Sequence, residues 1–123
     1  MIITRTPYRI SFFGGGTDYP SWYNKNKGKT ISTSINKYSY ITLSELKNFF
    51  NYKYRIRYYY REEAKNVDLI KHPTIRNAIK YRKIKQGISL YHFGELPART
   101  GIGSSSSFTV GLLKCLEYLQ KKT

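Results

Sequence analysis

The sequence predicts an α+β fold in one domain spanning residues 1–123, on three observations. Strand-like segments crowd the first half of the chain. Helical periodicity is confined mainly to two later segments, so the order is strands, helix, strand, helix rather than a repeating βαβ array. No internal repeat, low-complexity tract or linker divides the chain. Its 123 residues suit one domain and can bury a core without disulfide or metal staples, which become necessary below about 40 residues.

Taken in order, Ile2–Phe13 is β-like, with Ile10 and Phe12 on one face and Arg9, Ser11 and Phe13 on the other. Gly14-Gly15-Gly16 breaks it. Thr17-Asp18-Tyr19-Pro20 then reads as a helix start, with Thr17 or Asp18 as cap and Pro20 in the first turn. This short helix carries Trp22 and Tyr23 and fades in Asn24–Gly28. Two strands are expected near Thr30–Asn36 and Tyr38–Leu43, both rich in β-branched residues and Tyr. Tyr52–Tyr60 alternates as one half-buried strand: Tyr52, Tyr54, Ile56, Tyr58 and Tyr60 on one side, Lys53, Arg55 and Arg57 on the other. A helix follows from Pro73 to about Lys85, with Ile75, Ala78, Ile79 and the stem of Arg82 on one face, ended by Gly87. Ile88–Phe93 is a further strand. Ser104–Lys121 is the strongest helix, because Phe108, Leu112, Cys115, Leu116 and Leu119 recur at spacings of three and four.

Composition narrows the function classes. Thirteen Tyr and six Phe argue against wholesale disorder, and no apolar run approaches the 18 or so residues of a membrane span. Met1-Ile2-Ile3-Thr4-Arg5 lacks the charged-then-apolar pattern of a signal peptide, so the expected compartment is the cytoplasm. Cys115 is the only cysteine, which excludes an internal disulfide and a Cys-clustered zinc site; on an apolar stripe it reads as a small buried hydrophobe. His72 and His92 read as structural, since neither has a second titrating partner at ligand spacing. The net charge of +15 admits a nucleic-acid-binding domain, with cations for phosphates and aromatics for base stacking. Codon bias towards Lys, Ile, Asn, Tyr and Phe explains the same composition. Residues Lys47 to Lys85 hold most of the positive charge, and the alternation in Tyr52–Tyr60 puts its cations on a solvated face.

The most informative segment is Pro97-Ala98-Arg99-Thr100-Gly101-Ile102-Gly103-Ser104-Ser105-Ser106-Ser107, lying between an expected strand and the strongest expected helix. A Gly-x-Gly turn lets backbone approach a ligand with no Cβ in the way. The helix N-terminus behind it offers unpaired N–H groups and partial positive charge, which suits a di- or triphosphate. The serine hydroxyls can donate to phosphate oxygens or help to coordinate magnesium. A serine-capped helix after a glycine turn is the simpler alternative, but one cap needs only one serine. The segment is not a Walker A loop, and Ser106 stands where the third Gly of Gly-x-Gly-x-x-Gly would fall.

Three motifs in order carry a resemblance. Pro97-x-x-x-Gly101-Ile102-Gly103-Ser104-Ser105-Ser106 resembles the nucleotide-binding motif of the GHMP kinases. Arg9-Ile10-Ser11-Phe12-Phe13-Gly14-Gly15-Gly16-Thr17-Asp18-Tyr19 resembles their first motif in its sugar-kinase version. His72-Pro73-Thr74-Ile75-Arg76, with the serine run leading into Phe108–Leu113, is most similar to the D-glycero-D-manno-heptose 7-phosphate kinases of that family. The resemblance implies a two-layer α/β sandwich like the second domain of a ribosomal small-subunit protein.

It also implies ATP and Mg²⁺ as cofactors and a sugar phosphate as substrate. The nucleotide phosphates would be wrapped by Pro97, Gly101, Ile102, Gly103, Ser104, Ser105, Ser106 and Ser107, with Ser105 helping to hold magnesium. Gly15, Gly16, Thr17 and Asp18 would meet the sugar, and Arg9 would lie beside the transferring phosphate or acceptor hydroxyl. A helix cap for Asp18, a surface position for Arg9 and a plain tight turn at the glycines are the alternatives. Tyr19 and Trp22, which flank the substrate region in the family, are more simply read as core. These kinases are about twice this size, and their base-like Asp and third, Gly-rich motif lie beyond the second motif. Here only Glu117 offers a carboxylate after Gly103. The expectation is therefore an N-terminal half, truncated after the phosphate-loop helix and inactive alone. A subunit pairing with a separately encoded C-terminal half is an alternative. No membrane partner is expected.

Overall fold

A computed structural model describes residues 1–47, 49–97 and 100–121. Its elements are β1 (Ile2–Phe13), α1 (Pro20–Tyr23), β2 (Ile31–Glu45), β3 (Tyr54–Arg57), β4 (Arg61–Ala64), α2 (Pro73–Tyr81), β5 (Ile88–Gly94) and α3 (Ser104–Lys121), with a 3-10 turn at Val67–Leu69. The strands form one sheet in the order β1-β2-β5-β3-β4. Only β3 and β5 run parallel; the other neighbours are antiparallel. Helix α3 lies across β1 and β2 with α2 beside it, giving two layers.

The apolar period of each element explains the packing. Ile41 and Leu43 of β2, Tyr54 and Ile56 of β3, and Ile88 and Leu90 of β5 meet Ile75, Ala78 and Ile79 of α2. The stripe Phe108, Leu112, Cys115, Leu116 and Leu119 of α3 closes the same cluster, as its spacing predicts. At Gly111 the helix comes so close to β1 that an added Cβ would lie 2.8 Å from Thr6 Oγ1. Thr4 Oγ1 donates to the Gly111 carbonyl at 3.1 Å and meets Cys115 Sγ at 3.3 Å. Burial pushes the Cys115 thiol up, so it is an inert packing group. Among the described residues, no helix is long and apolar enough to cross a membrane.

Several elements differ from expectation. The two strands expected at 30–36 and 38–43 are one strand, β2, whose pairing with β1 slips between Pro7↔Tyr38 and Arg9↔Ser34. Across that step β1 advances two residues and β2 four. Pro7, lacking an N–H, is tolerated because β1 is a sheet edge. The alternation in Tyr52–Tyr60 runs through a hairpin: β3 ends at Arg57, and β4 returns from Arg61. Arg55 and Arg57 are half-buried rather than freely solvated, lying over the rings of Phe50, Tyr52 and Tyr91. Helix α2 stops at Tyr81, where Lys83 takes a φ of 51°, before Gly87 is reached. Tyr19 and Trp22, expected in the core, are exposed, because the four-residue α1 buries none of its residues. The N-cap of α1 is Tyr19, not Thr17 or Asp18, and it makes no side-chain cap bond.

Both histidines pack on α3. His92 meets the Phe108 ring edge-on at 4.8 Å, and the His72 ring lies tilted 5.3 Å from the same ring while capping α2 through Nδ1. Tyr58 stacks edge-on against His72 at 4.8 Å and donates to buried Glu62 at 2.6 Å, which with burial pushes its phenol up to about 12. Glu62 also accepts from the Lys71 N–H at 2.6 Å.

Replacing Leu112 by Ala is expected to cost about 3 kcal/mol of stability, measured by denaturant unfolding, because the site is fully buried. Burial holds both histidines below the ordinary value of 6.5, and at His92 the neighbouring His72 adds to this. The unfolded chain then takes up protons first, so stability is greatest above pH 6.5 and falls as pH drops through and below that value. Ring-proton NMR titration is expected to place both below 6.5; a value above it for either would contradict the packing described.

Candidate functional site

The loop between β5 and α3 starts at Glu95 and ends at Gly103, where α3 begins with four serines. Ala98 and Arg99 lie outside the described residues. Pro97 accepts a hydrogen bond from the Thr100 hydroxyl at 2.9 Å, closing the loop on itself. Gly103 has φ +69°, a left-handed conformation that a side chain would strain. Any Cβ there would also stand 3.7 Å from Arg9 Cβ. Gly101 has open space beside it, with no atom within 4 Å of an added Cβ.

By helix geometry the N–H groups of Ser104, Ser105 and Ser106 have no acceptor one turn back, so they face the loop with the positive end of α3. Ser105 and Ser106 are exposed and Ser104 is half-buried. Ser107 differs from its neighbours. It is buried, its N–H donates to the Gly103 carbonyl at 3.0 Å, and its hydroxyl donates to the Pro7 carbonyl at 2.8 Å. What Ser107 contributes to this loop is attachment, not a free donor.

Strand β1 holds the loop from below. The Arg9 N–H donates to the Ile102 carbonyl at 3.1 Å, which brings the first motif onto the second. Arg9 itself is exposed, as a group meant to reach a ligand must be. At the loop entrance the Glu95 N–H donates to Tyr38 O at 3.1 Å, and the Tyr38 N–H donates to Glu95 Oε2 at 2.7 Å. The buried Tyr8 phenol is hydrogen-bonded to the Ser39 side chain and the Leu96 backbone; burial raises its pKa, and those two bonds oppose the rise. Tyr8 and Ser39 were not singled out by sequence reasoning. The signal available was Pro7 inside a strand run, which marks an irregular edge.

The Gly14–Asp18 turn follows the end of β1. Gly15 and Gly16 have no atom within 4 Å of an added Cβ, so a ligand can approach their backbone. The Asp18 N–H donates to Gly15 O at 3.2 Å, and its side chain is exposed. With Tyr19 as the cap residue of α1, the capping alternative for Asp18 is removed. Thr17 Oγ1 is buried without a hydrogen-bond partner among the described residues. A hydroxyl in that state lacks a bond that a polar ligand can supply. The structure therefore joins Arg9 to the Gly101–Ser107 loop, while the Gly15–Asp18 turn follows the C-terminal end of the same strand.

Magnesium has limited protein ligands here. No group of three or more His, Cys, Asp or Glu converges among the described residues. The exposed Ser105 hydroxyl fits as one ligand to a cation otherwise held by phosphate oxygens and water. Elsewhere, a cleft of about 500 Å³ between Tyr58, Tyr60, Arg61, Glu62, Leu69 and Lys71 contains none of the residues expected from the motifs.

Comparison with known proteins agrees with the fold. The family model described as the GHMP kinases N terminal domain matches residues 68–123. A D-glycero-alpha-D-manno-heptose 7-phosphate kinase of Campylobacter jejuni is 28% identical, over 92% of this chain and 36% of its own length. Among solved structures, a D-glycero-D-manno-heptose 1-phosphate kinase from Bacteriodes thetaiotaomicron superposes with a TM-score of 0.78 at 22% identity. That match covers 98% of this chain and 42% of the other. Streptococcus pneumoniae phosphomevalonate kinase, solved in complex with phosphomevalonate and AMPPNP, has a TM-score of 0.66 at 20% identity, covering 98% of this chain and 37% of that one. The chain thus spans about two-fifths or less of these relatives' lengths. Residues 68–123 match that family model in sequence, and nearly the whole chain shares the fold of these kinases' structures.

Proposed function

We propose that the chain supplies the nucleotide-binding and sugar-orienting part of an ATP-dependent sugar kinase. The proposed acceptor is D-glycero-D-manno-heptose 7-phosphate at its anomeric hydroxyl. The single observation that carries the reading is the Arg9–Ile102 bond, since it unites the residue expected at the transferring phosphate with the loop expected to hold the nucleotide.

In this reading the N–H groups of Ser104–Ser106 and the Gly101–Gly103 backbone bind the nucleotide phosphates, and Pro97 closes the loop's near side. Mg²⁺, held partly by Ser105, neutralises phosphate charge when bound. The exposed Arg9 guanidinium offsets the charge that develops as the acceptor oxygen bonds the γ-phosphorus and the bond to the bridging oxygen of ADP breaks. Asp18 accepts bonds from sugar hydroxyls, Thr17 contributes its unpartnered hydroxyl, and Gly15 and Gly16 let the backbone approach. Accepting the hydroxyl proton falls to a group outside this chain. Glu117, the only carboxylate after Gly103, is tied to Lys114 and Lys121 along α3, and those cations hold it below the usual carboxylate range. A separate C-terminal half is the proposed partner, and the cytoplasm, where ATP is available, the proposed compartment.

Titration calorimetry of the 123-residue chain tests this. Mg-ATP is expected to bind, and Gly103→Val is expected to weaken it at least tenfold; because that change also strains the backbone, Ser105→Ala, expected to weaken the Mg²⁺-dependent part, is the companion variant. Asp18→Asn is expected to leave Mg-ATP affinity unchanged while weakening the heptose phosphate at least tenfold. No turnover is expected from the chain alone, and sustained product formation would place the base within it. Loss of 10³-fold or more in affinity for RNA between 50 and 200 mM salt, with indifference to Gly103→Val and no ATP binding, would favour a nucleic-acid-binding domain instead.

A further inference from the structure

Three consecutive residues of β1 hold the phosphate loop and the start of its helix at three separate points. Pro7 O takes the Ser107 hydroxyl, Tyr8 takes the Leu96 backbone, and the Arg9 N–H takes the Ile102 carbonyl. They can do so because the β1–β2 ladder slips across this step, leaving Tyr8 without a partner in the register. Tyr8 turns inward to become almost wholly buried, and its hydroxyl passes so close to Gly94 that an added Cβ would stand 2.5 Å away. Behind it, Ser39 Oγ lies 3.0 Å from His92 Nε2.

The Leu96 N–H donates to the phenol oxygen, and Ser39 links that phenol to the His92 ring.

We propose that Tyr8 and Ser107 are positioning residues of the phosphate loop. Tyr8, backed by Ser39 and His92, sets the loop entrance at Leu96. Ser107 sets the exit by locking the first turn of α3 onto Pro7. Neither touches the nucleotide; together they determine where Gly101–Ser106 sit relative to Arg9. This role rests on the loop being the nucleotide site, but the positioning itself can be measured without nucleotide.

Tyr8→Phe and Ser107→Ala each remove one hydroxyl and little volume, with Ser107→Thr as the variant that keeps the bond. Amide hydrogen exchange of the full chain, without ligand, is expected to quicken at least tenfold at Leu96 in Tyr8→Phe and at Arg9 in Ser107→Ala. Leu90, in the core of β5, is expected to stay protected, and Ser107→Thr to restore Arg9. Mg-ATP affinity is expected to fall at least tenfold in both variants, with adenosine affinity unchanged, because only the phosphate contacts are displaced. Unchanged exchange at Leu96 and Arg9, or equal acceleration at Leu90, would overturn the proposal. Altered exchange with no Mg-ATP binding even by the parent chain would instead overturn the nucleotide reading while leaving the positioning intact.

Discussion

The step from Pro7 to Arg9 in β1 is the constraint on which the rest of the site depends. An edge strand in regular register would spend its backbone groups on the neighbouring strand. Here the ladder slips, and an N–H, a carbonyl and a buried phenol turn to the loop between β5 and α3 instead. The loop contains Gly103 at positive φ, which confers no fixed shape on its own. Its geometry comes from attachment to the sheet. The same attachment brings the exposed Arg9 under the amino end of α3, where anionic charge is favoured.

Packing and charge are separated in this molecule. The core is a continuous cluster from four strands and two helices, and two of the polar groups reaching into it are paired. Glu62 takes Tyr58 and Lys71 N–H, and Ser39 meets His92. The excess of cations stands on the surface, and a share of it leans on aromatic rings, as with Arg5 over Tyr38 and Arg57 over Tyr91. A net charge of +15 that suggests polyanion binding is thus partly held within cation–aromatic contacts. Its fit with phosphorylated small ligands needs only the few groups around the loop.

What could be read in advance follows from how local each determinant is. Helix α3 runs over Ser104–Lys121 as its apolar spacing indicates, and β1 ends where the glycines begin, because both signals lie within the element itself. The glycine–serine loop was legible as a candidate site for the same reason: turn glycines, serines and a strong helix are adjacent in the chain. The Pro7–Arg9 strap was not, since its partners lie about ninety to a hundred residues away and its cause is a register slip between strands. The strands expected at 30–36 and 38–43 are one, and residues 35–37 fall within the extra length of β2 at that slip. The Tyr alternation from 52 to 60 likewise hid a hairpin, because alternation persists through a tight turn even when the chain reverses. Tyr19 and Trp22 misled by size alone, since large aromatic residues are core only where a second layer covers them.

The most direct measurement is a structure of this chain with Mg²⁺ and a non-hydrolysable ATP analogue. The account predicts phosphate oxygens within hydrogen-bond distance of the Ser104–Ser106 N–H groups, the cation on Ser105, and the Arg9–Ile102 and Ser107–Pro7 bonds intact. Phosphates seated instead in the cleft beside Tyr58 and Lys71, with the glycine–serine loop empty, would contradict it.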